Sequence, residues 1–121
     1  TVAGEFGQVD ADDVLLRQAF SNLLRNAVEA CHGGSVTPSI RVEGALDATQ
    51  NLARINVLDN GPGVPADARE QIFRPFFTTK KTGTGLGLAL VQKIVVTHNG
   101  RVLATNSPDG GACFQVTLPI V

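Results

Sequence analysis

Apolar residues recur at helical spacing through the first quarter of the chain, as far as about residue 31. They form one stripe along the predicted helix: Leu16, Phe20, Leu23, Leu24, Ala27 and Cys31. Such a stripe is typical of an amphipathic helix that buries one face. Asp10, Asp12 and Asp13 supply side chains suited to the N-terminus of this helix, and Gly33-Gly34 ends it.

The remaining hydrophobic pattern predicts several strands and one more helix. Short apolar segments bounded by turn residues indicate strands, and the longer apolar run before Asn99-Gly100 indicates a helix. The predicted strands are residues 2–9, 39–44, 54–59, 102–106 and 113–120, and the second helix is residues 88–98. This order of elements predicts a mixed sheet with both helices packed on one face, which is an α/β sandwich.

Length and composition limit the class of protein. A chain of 121 residues with 43% hydrophobic and 17% charged residues suits one globular domain, here residues 1–121. The net charge of −1 gives no reason to expect nucleic-acid binding, and the apolar runs are too short to cross a membrane. Cys31 and Cys113 fit no zinc spacing, so two buried thiols in a reducing cytosol are expected rather than a disulfide.

Polar residues form a second stripe on the first predicted helix. Asn22, Asn26 and Glu29 lie at positions i, i+4 and i+7, so they share one face. A solvated face would explain Glu29, but each asparagine inside a helix costs roughly half a kcal/mol relative to alanine. An amide oxygen on a rigid helix is a suitable neutral ligand for Mg²⁺, which prefers oxygen donors and retains phosphates and water around it.

The segment from Asp59 to Pro65 follows a predicted strand and contains Gly61 and Gly63. If the strand turns Ile55 and Val57 toward the core, alternation also directs Asp59 into the interior. A buried carboxylate requires a hydrogen-bond donor, and the exocyclic amine of adenine is one such donor. Glycines would let the backbone approach a flat base. The alternative is an ordinary turn in which Asp59 accepts from nearby backbone amides.

A second glycine-rich segment precedes the second predicted helix, with the sequence Gly83-Thr84-Gly85-Leu86-Gly87-Leu88. Backbone amides at a helix N-terminus can bind phosphate, although a hinge without a ligand is an alternative. Neither the P-loop nor the Rossmann glycine pattern is present. Three phenylalanines and four basic residues lie between the two glycine segments: Phe73, Phe76, Phe77, Arg69, Arg74, Lys80 and Lys81. Aromatic rings can fix the base of a loop there, and lysines can meet phosphate charge, while Arg69 and Lys81 also suit a solvated surface.

In this order the motifs resemble those of the GHKL superfamily of ATPases and kinases, and most closely the catalytic domain of sensor histidine kinases. The resemblance covers about residues 10–120. Residues 22–27 resemble the N box, residues 59–63 the G1 box, residues 73–77 the F box and residues 83–87 the G2 box. The run from Asn22 to Ala30 is similar to sensor kinases of the nitrogen-regulation type.

This resemblance implies a Bergerat-type two-layer sandwich that binds Mg-ATP under a lid of roughly residues 66–87. It implies that Asn26 ligates Mg²⁺ with Asn22 beside the phosphates, and that Asp59 binds adenine. The other nucleotide contacts that it implies are Gly61, Gly63, Lys80, Thr84, Gly85, Leu86 and Gly87. The implied reaction transfers the γ-phosphate to a histidine on a separate dimerisation domain of the same parent protein, with a response regulator downstream. The domain would be cytoplasmic and make no membrane contact itself.

Two departures from the family pattern and three alternative functions accompany this interpretation. Glu29 and Ala30 stand where many members carry a basic and an aromatic residue, and Ala112 stands where threonine is common. An ATPase of the gyrase, chaperone or mismatch-repair kind would be expected to carry a glutamate base at position 22. A regulatory module that binds nucleotide without transferring phosphate would keep the same pocket, and a serine-directed kinase of the anti-sigma type would not require the F box.

Overall fold

The computed structural model describes residues 2–4, 12–31, 37, 39–74, 87–108 and 110–120. In chain order the strands and helices are β1 Val2–Gly4, α1 Asp13–Cys31, β2 Ile40–Asp47, β3 Leu52–Asp59, α2 Gly87–Thr97, β4 Arg101–Asn106 and β5 Ala112–Pro119. Two short 3₁₀ helices, Ala66–Ala68 and Gln71–Phe73, follow β3. The predicted order of elements is confirmed, although β2 and β3 extend further toward their connection than the apolar pattern indicated.

The five strands form one sheet in the order β1-β2-β3-β5-β4, with β1 parallel to β2 and the other pairs antiparallel. The predicted mixed sheet is therefore confirmed. The register places Leu58 beside Cys113 and Asn106 beside Ala112. The ends of β3 and β4 and the start of β5 consequently meet at one end of the sheet, where Asp59 lies.

Both helices pack against one face of this sheet, as predicted. Leu23 and Ala27 of α1 and Val91 and Val95 of α2 are buried in one cluster with the inward side chains of the strands. The buried strand residues of this cluster are Val57, Val102, Ala104, Ala112, Phe114, Val116 and Leu118. Within the described residues, no helix is both long enough and apolar enough to cross a membrane.

Phe73 joins the segment after β3 to this core. It is buried, and its ring meets that of Phe114 edge to face, with the centroids 6.2 Å apart and the planes at 87°. This arrangement is favourable for two aromatic rings. The prediction that an aromatic residue fixes the base of the loop is thus confirmed for Phe73, while Phe76 and Phe77 lie outside the described residues.

A histidine links the end of α2 to the start of α1. The Asp12 carboxylate accepts the N–H of Leu15 at 3.1 Å, which makes Asp12 the N-cap of α1. The backbone N–H of Asp12 donates to Nε2 of His98 at 3.0 Å, while Nδ1 of His98 lies 2.8 Å from the carbonyl oxygen of Ile94. These partners assign the proton of a neutral His98 to Nδ1. His98 therefore contacts a carbonyl group in the last turn of α2 through Nδ1 and the N-cap residue of α1 through Nε2.

Two details of burial differ from the sequence prediction. Leu24 is 39% exposed and Ala19 is buried instead, because neighbouring helical positions point about 100° apart and Ala19 lies one turn before Leu23. Cys113 is half-buried because it alternates with Phe114 and therefore lies on the sheet face away from the helices. Burial raises the pKa of the Cys113 thiol, and both cysteines are free, as expected.

Candidate functional site

Asp59 is the last residue of β3 and is buried, with 6% of its surface exposed. Its Oδ1 accepts two backbone hydrogen bonds, from the N–H of Gly61 at 2.9 Å and from the N–H of Ala112 at 3.2 Å. The prediction that Asp59 points into the interior is confirmed. Backbone amides do hold this carboxylate, as in the ordinary turn that was the alternative, but they occupy one of its two oxygens.

The second oxygen of this carboxylate, Oδ2, is buried and has no hydrogen-bond partner among the described residues. Such an atom is rare in a folded protein, because an acceptor without a donor costs about 1–3 kcal/mol. No ion pair to Asp59 occurs within the described part of the chain. The geometry therefore offers a negatively charged acceptor to a ligand that carries an N–H group.

The turn after Asp59 packs closely against the protein, and this packing explains its glycines. A Cβ on Gly61 would lie 2.9 Å from the carbonyl oxygen of Ala30, near the end of α1. Gly63 has φ of +83°, and its Cβ would lie 2.8 Å from Oδ1 of Asn106. From the sequence, both glycines were predicted to let the backbone approach a base. The structure adds a packing reason for each, and contact with a nucleotide stays a prediction.

Asn60 connects this turn to the end of α1 and to the segment before β2. Its Oδ1 accepts from Sγ of Cys31 at 3.1 Å and from the N–H of Ser39 at 2.9 Å. Its Nδ2 donates to the carbonyl oxygen of Thr37 at 2.8 Å. Asn60 had no predicted role, because hydrogen-bond partners so distant in the sequence leave no spacing pattern.

Asn22 and Asn26 lie half-buried on α1, and Glu29 is exposed near the end of that helix. Contact between Ala30 and Gly61 brings this end of α1 against the turn after Asp59. Gly87 is the first residue of α2, and no described atom lies within 4 Å of the position of an added Cβ. The remaining predicted contacts, Lys80, Thr84, Gly85 and Leu86, lie outside the described residues.

Arg69 does not lie on the solvated surface that was one of the two interpretations of its position. The residue is half-buried between the two 3₁₀ helices, and its Nε is buried without a hydrogen-bond partner in the described part of the chain. The sequence pattern had associated Arg69, and not Arg74, with a solvated surface, whereas in the structure Arg74 is the exposed one. The described residues also contain no group of three or more histidine, cysteine or acidic side chains that could hold a metal ion.

Comparison with known proteins finds sensory kinases among the relatives of this chain. Residues 11–121 match the family described as histidine kinase-, DNA gyrase B- and HSP90-like ATPase. The adaptive-response sensory kinase SasA of Rippkaea orientalis is 42% identical over 93% of this chain. The sensory histidine kinase/phosphatase NtrB of Rhodobacter capsulatus is 41% identical over 92%. The chain spans 29% and 33% of the length of these two relatives.

Solved structures agree with this match. The catalytic domain of the histidine kinase ThkA is 33% identical, with a TM-score of 0.79 over 98% of this chain and 78% of that one. ShkA in complex with AMPPNP is 29% identical, with a TM-score of 0.75 over 98% of this chain and 25% of that one. The predicted fold class and the resemblance carried by the four motifs are both confirmed: the chain belongs to the family of histidine kinase-, DNA gyrase B- and HSP90-like ATPases, and its relatives are sensor histidine kinases.

Proposed function

We propose that this chain binds Mg-ATP and donates the γ-phosphate to a histidine on a separate dimerisation domain of its parent protein. The observation that carries the proposal is the buried Asp59 carboxylate, whose Oδ1 is held by two backbone amides while Oδ2 has no described partner. The exocyclic amine of adenine supplies the N–H donor that Oδ2 lacks. Membership of an ATPase family supports an adenine nucleotide, rather than another ligand with an amine, as the donor.

The remaining nucleotide contacts divide between base and phosphates. Gly61 and Gly63 would border the base, because their turn is bonded to the same carboxylate as the adenine amine. The phosphates would be contacted by Lys80, Thr84, Gly85, Leu86 and Gly87.

Asn26 would ligate Mg²⁺, with Asn22 beside the phosphates, on the helix whose end contacts Gly61. An amide ligand suits a site with no acidic cluster in the described residues, since Mg²⁺ takes most of its oxygens from phosphate and water. When bound, Mg²⁺ neutralises charge on the phosphates.

The described side chains position the reactants but do not supply a proton acceptor. The amides of Asn22 and Asn26 cannot act as general bases at neutral pH. Both ring nitrogens of His98 are engaged in hydrogen bonds at the far ends of the helices, so His98 is not the phosphate acceptor. We therefore expect a second domain to present a histidine in line with the γ-phosphate, which is mainly a matter of positioning.

Residues 1–121 would act as one catalytic domain, and its partners would lie on other chains or domains. ThkA has been solved in complex with the response regulator protein TrrA, and a response regulator is accordingly the downstream partner that we propose. Similarity to NtrB and to the nitrogen regulation protein NtrY of Azorhizobium caulinodans supports a parent protein of the nitrogen-regulation type. The domain would act in the cytoplasm, where its nucleotide and the response regulator are available.

The transfer reaction is tested by incubating the chain with γ-labelled ATP, alone and with the histidine-bearing domain of its parent. We expect label on the added domain and none on the chain itself, because the described residues provide no acceptor histidine. The control is the parent domain with its acceptor histidine changed to alanine. Rapid ATP hydrolysis by the chain alone would favour an ATPase of the gyrase or chaperone kind, and nucleotide binding without transfer would favour a regulatory module.

Asn26→Ala tests the metal site separately. If the amide oxygen of Asn26 ligates Mg²⁺, the variant should lose the gain in ADP affinity that Mg²⁺ provides, a change of about tenfold. Calorimetry with ADP in Mg²⁺ or in EDTA measures this gain. Gln18→Ala is the matched control, because Gln18 is an exposed amide on the same helix. An equal gain in both variants would remove Asn26 from the metal site.

A further inference from the structure

Asn106, the last residue of β4, lies outside the set of residues that the motifs single out. Its Oδ1 accepts the N–H of Val64 at 2.7 Å, and its Nδ2 donates to the carbonyl oxygen of Val64 at 3.0 Å. One side-chain amide thus pairs with both backbone groups of one residue, as the backbone of a neighbouring strand would. The pair of bonds fixes both the position and the orientation of Val64.

Val64 ends the turn that begins at Asp59, so this pair of bonds holds the far end of the turn. The near end is held by the bond from the Gly61 N–H to Oδ1 of Asp59. Between the two anchors, the positions of added Cβ atoms show that Gly63 packs against Asn106 and against the carbonyl oxygen of Gly110. The turn is therefore fixed at both ends and supported from outside by the β4–β5 connection.

The register of β4 and β5 ties this support to Asp59 as well. Asn106 lies opposite Ala112, and the N–H of Ala112 donates to Oδ1 of Asp59. The connection between them is closed by bonds from the Ser107 N–H to the Gly111 carbonyl and from the Gly110 N–H to the Ser107 carbonyl. The end of β4 and the start of β5 thus hold both ends of the turn, through Val64 and through Asp59.

We propose that Asn106 is a positioning residue that sets the preference of the pocket for adenine, an inference that rests on the proposed nucleotide binding. Oδ2 of Asp59 accepts from an amine and repels a carbonyl oxygen, so guanine is rejected when it is held as adenine is, with its carbonyl oxygen in the place of the adenine amine. The turn that borders the carboxylate holds the base there. Without the side chain of Asn106 the turn is less rigid. Guanine can then bind with its carbonyl oxygen further from Asp59, so the preference for adenine over guanine falls.

The test compares Asn106→Ala with wild type by measuring Kd for ADP and for GDP. Because the two bonds are exposed to water, we expect a modest increase in Kd for ADP of roughly five- to tenfold, with a smaller increase for GDP. The preference for ADP over GDP should fall by about threefold or more. Asn99→Ala is the control for general destabilisation. Asn99 has φ of +61° and precedes β4 at the opposite end from Asn106, so alanine there strains the fold without touching the turn.

A second variant keeps the proposal testable if Asn106→Ala does not fold. Asn106→Asp retains an acceptor for the Val64 N–H but places a second acceptor against the Val64 carbonyl oxygen. Protonation turns that second oxygen into a donor and restores the pair. The ADP affinity of Asn106→Asp relative to wild type should therefore rise as the pH is lowered from about 8 to about 5, toward the range in which carboxylates gain protons.

Three results would overturn the role of Asn106. The first is a Kd for ADP that is the same in Asn106→Ala and Asn99→Ala, and the second is an equal loss of ADP and GDP affinity in Asn106→Ala. The third is an ADP affinity of Asn106→Asp, relative to wild type, that stays constant across the pH range. Each of these requires that the wild-type chain binds ADP. Failure of the wild type to bind ADP would instead overturn the proposed function, so the two failures are distinguishable.

Discussion

Asp59→Asn is expected to lower ADP affinity by about 3 kcal/mol, or roughly 100-fold, because a charge-assisted acceptor becomes a donor that faces the adenine amine. The variant keeps an oxygen for the N–H groups of Gly61 and Ala112, which hold the side chain in place. A neutral amide also costs less to bury than a carboxylate that has no described ion pair. The free energy of unfolding should therefore be unchanged or higher, and loss of binding with retained stability identifies a residue kept for its ligand.

Calorimetry with ADP and urea unfolding measure the two quantities. Asp47→Asn is the matched control, because it makes the same substitution at a carboxylate near the other end of β3. Asp47 accepts from Arg54 and from the N–H of Thr49, so this variant should lose a little stability and bind ADP within about twofold of wild type. ADP affinity equal in the two variants would show that Asp59 does not meet the base.

Gly111→Ala is expected to destabilise the domain by about 3 kcal/mol or more, a large part of the roughly 5–15 kcal/mol that holds a domain folded. A Cβ on Gly111 would overlap the carbonyl oxygen of Asp59 and lie 2.6 Å from its carbonyl carbon. Both atoms belong to the backbone at the end of β3, so no side-chain rotation relieves the overlap. The β4–β5 connection and the end of β3 must separate, which removes the bond from Ala112 to Asp59.

Urea unfolding followed by circular dichroism tests this prediction, with Gly87→Ala as the control. Gly87 is itself one of the proposed phosphate contacts, but no described atom lies within 4 Å of its added Cβ, and alanine is favourable in a helix. The control should be as stable as wild type or slightly more stable. Equal free energies of unfolding for Gly111→Ala and Gly87→Ala would contradict the prediction, because the backbone around Gly111 and Asp59 would then accommodate the added Cβ without loss of stability.

Sequence patterns predicted the elements of the fold because periodicity records which face of each element is buried. The helical stripe through Leu23, Ala27 and Cys31 is buried as expected, and alternation along β3 correctly turned Asp59 inward. Periodicity failed where neighbours on one element compete for the core. Leu24 and Ala19 exchanged roles, because the direction of the helix axis over the sheet decides which flank of the stripe is covered.

The candidate site was predictable in part, where its chemistry follows from a residue and its immediate neighbours. Asp59 between a strand and two glycines carries such a local signal. Asn60 and Asn106 carry none, because each acts through backbone atoms that lie 21 to 42 positions away in the sequence. Their roles depend on which strand ends meet, and strand order is a property of the whole sheet rather than of any motif.

The two donors that hold Asp59 are backbone N–H groups, and this choice decides which mutations the site tolerates. The N–H of Ala112 is present whatever side chain occupies position 112, so the alanine found where threonine is common leaves the carboxylate anchored. Proline is the one exception, because it has no N–H to donate. The anchor is thereby encoded in the course of the chain and does not depend on the identity of the side chain at position 112.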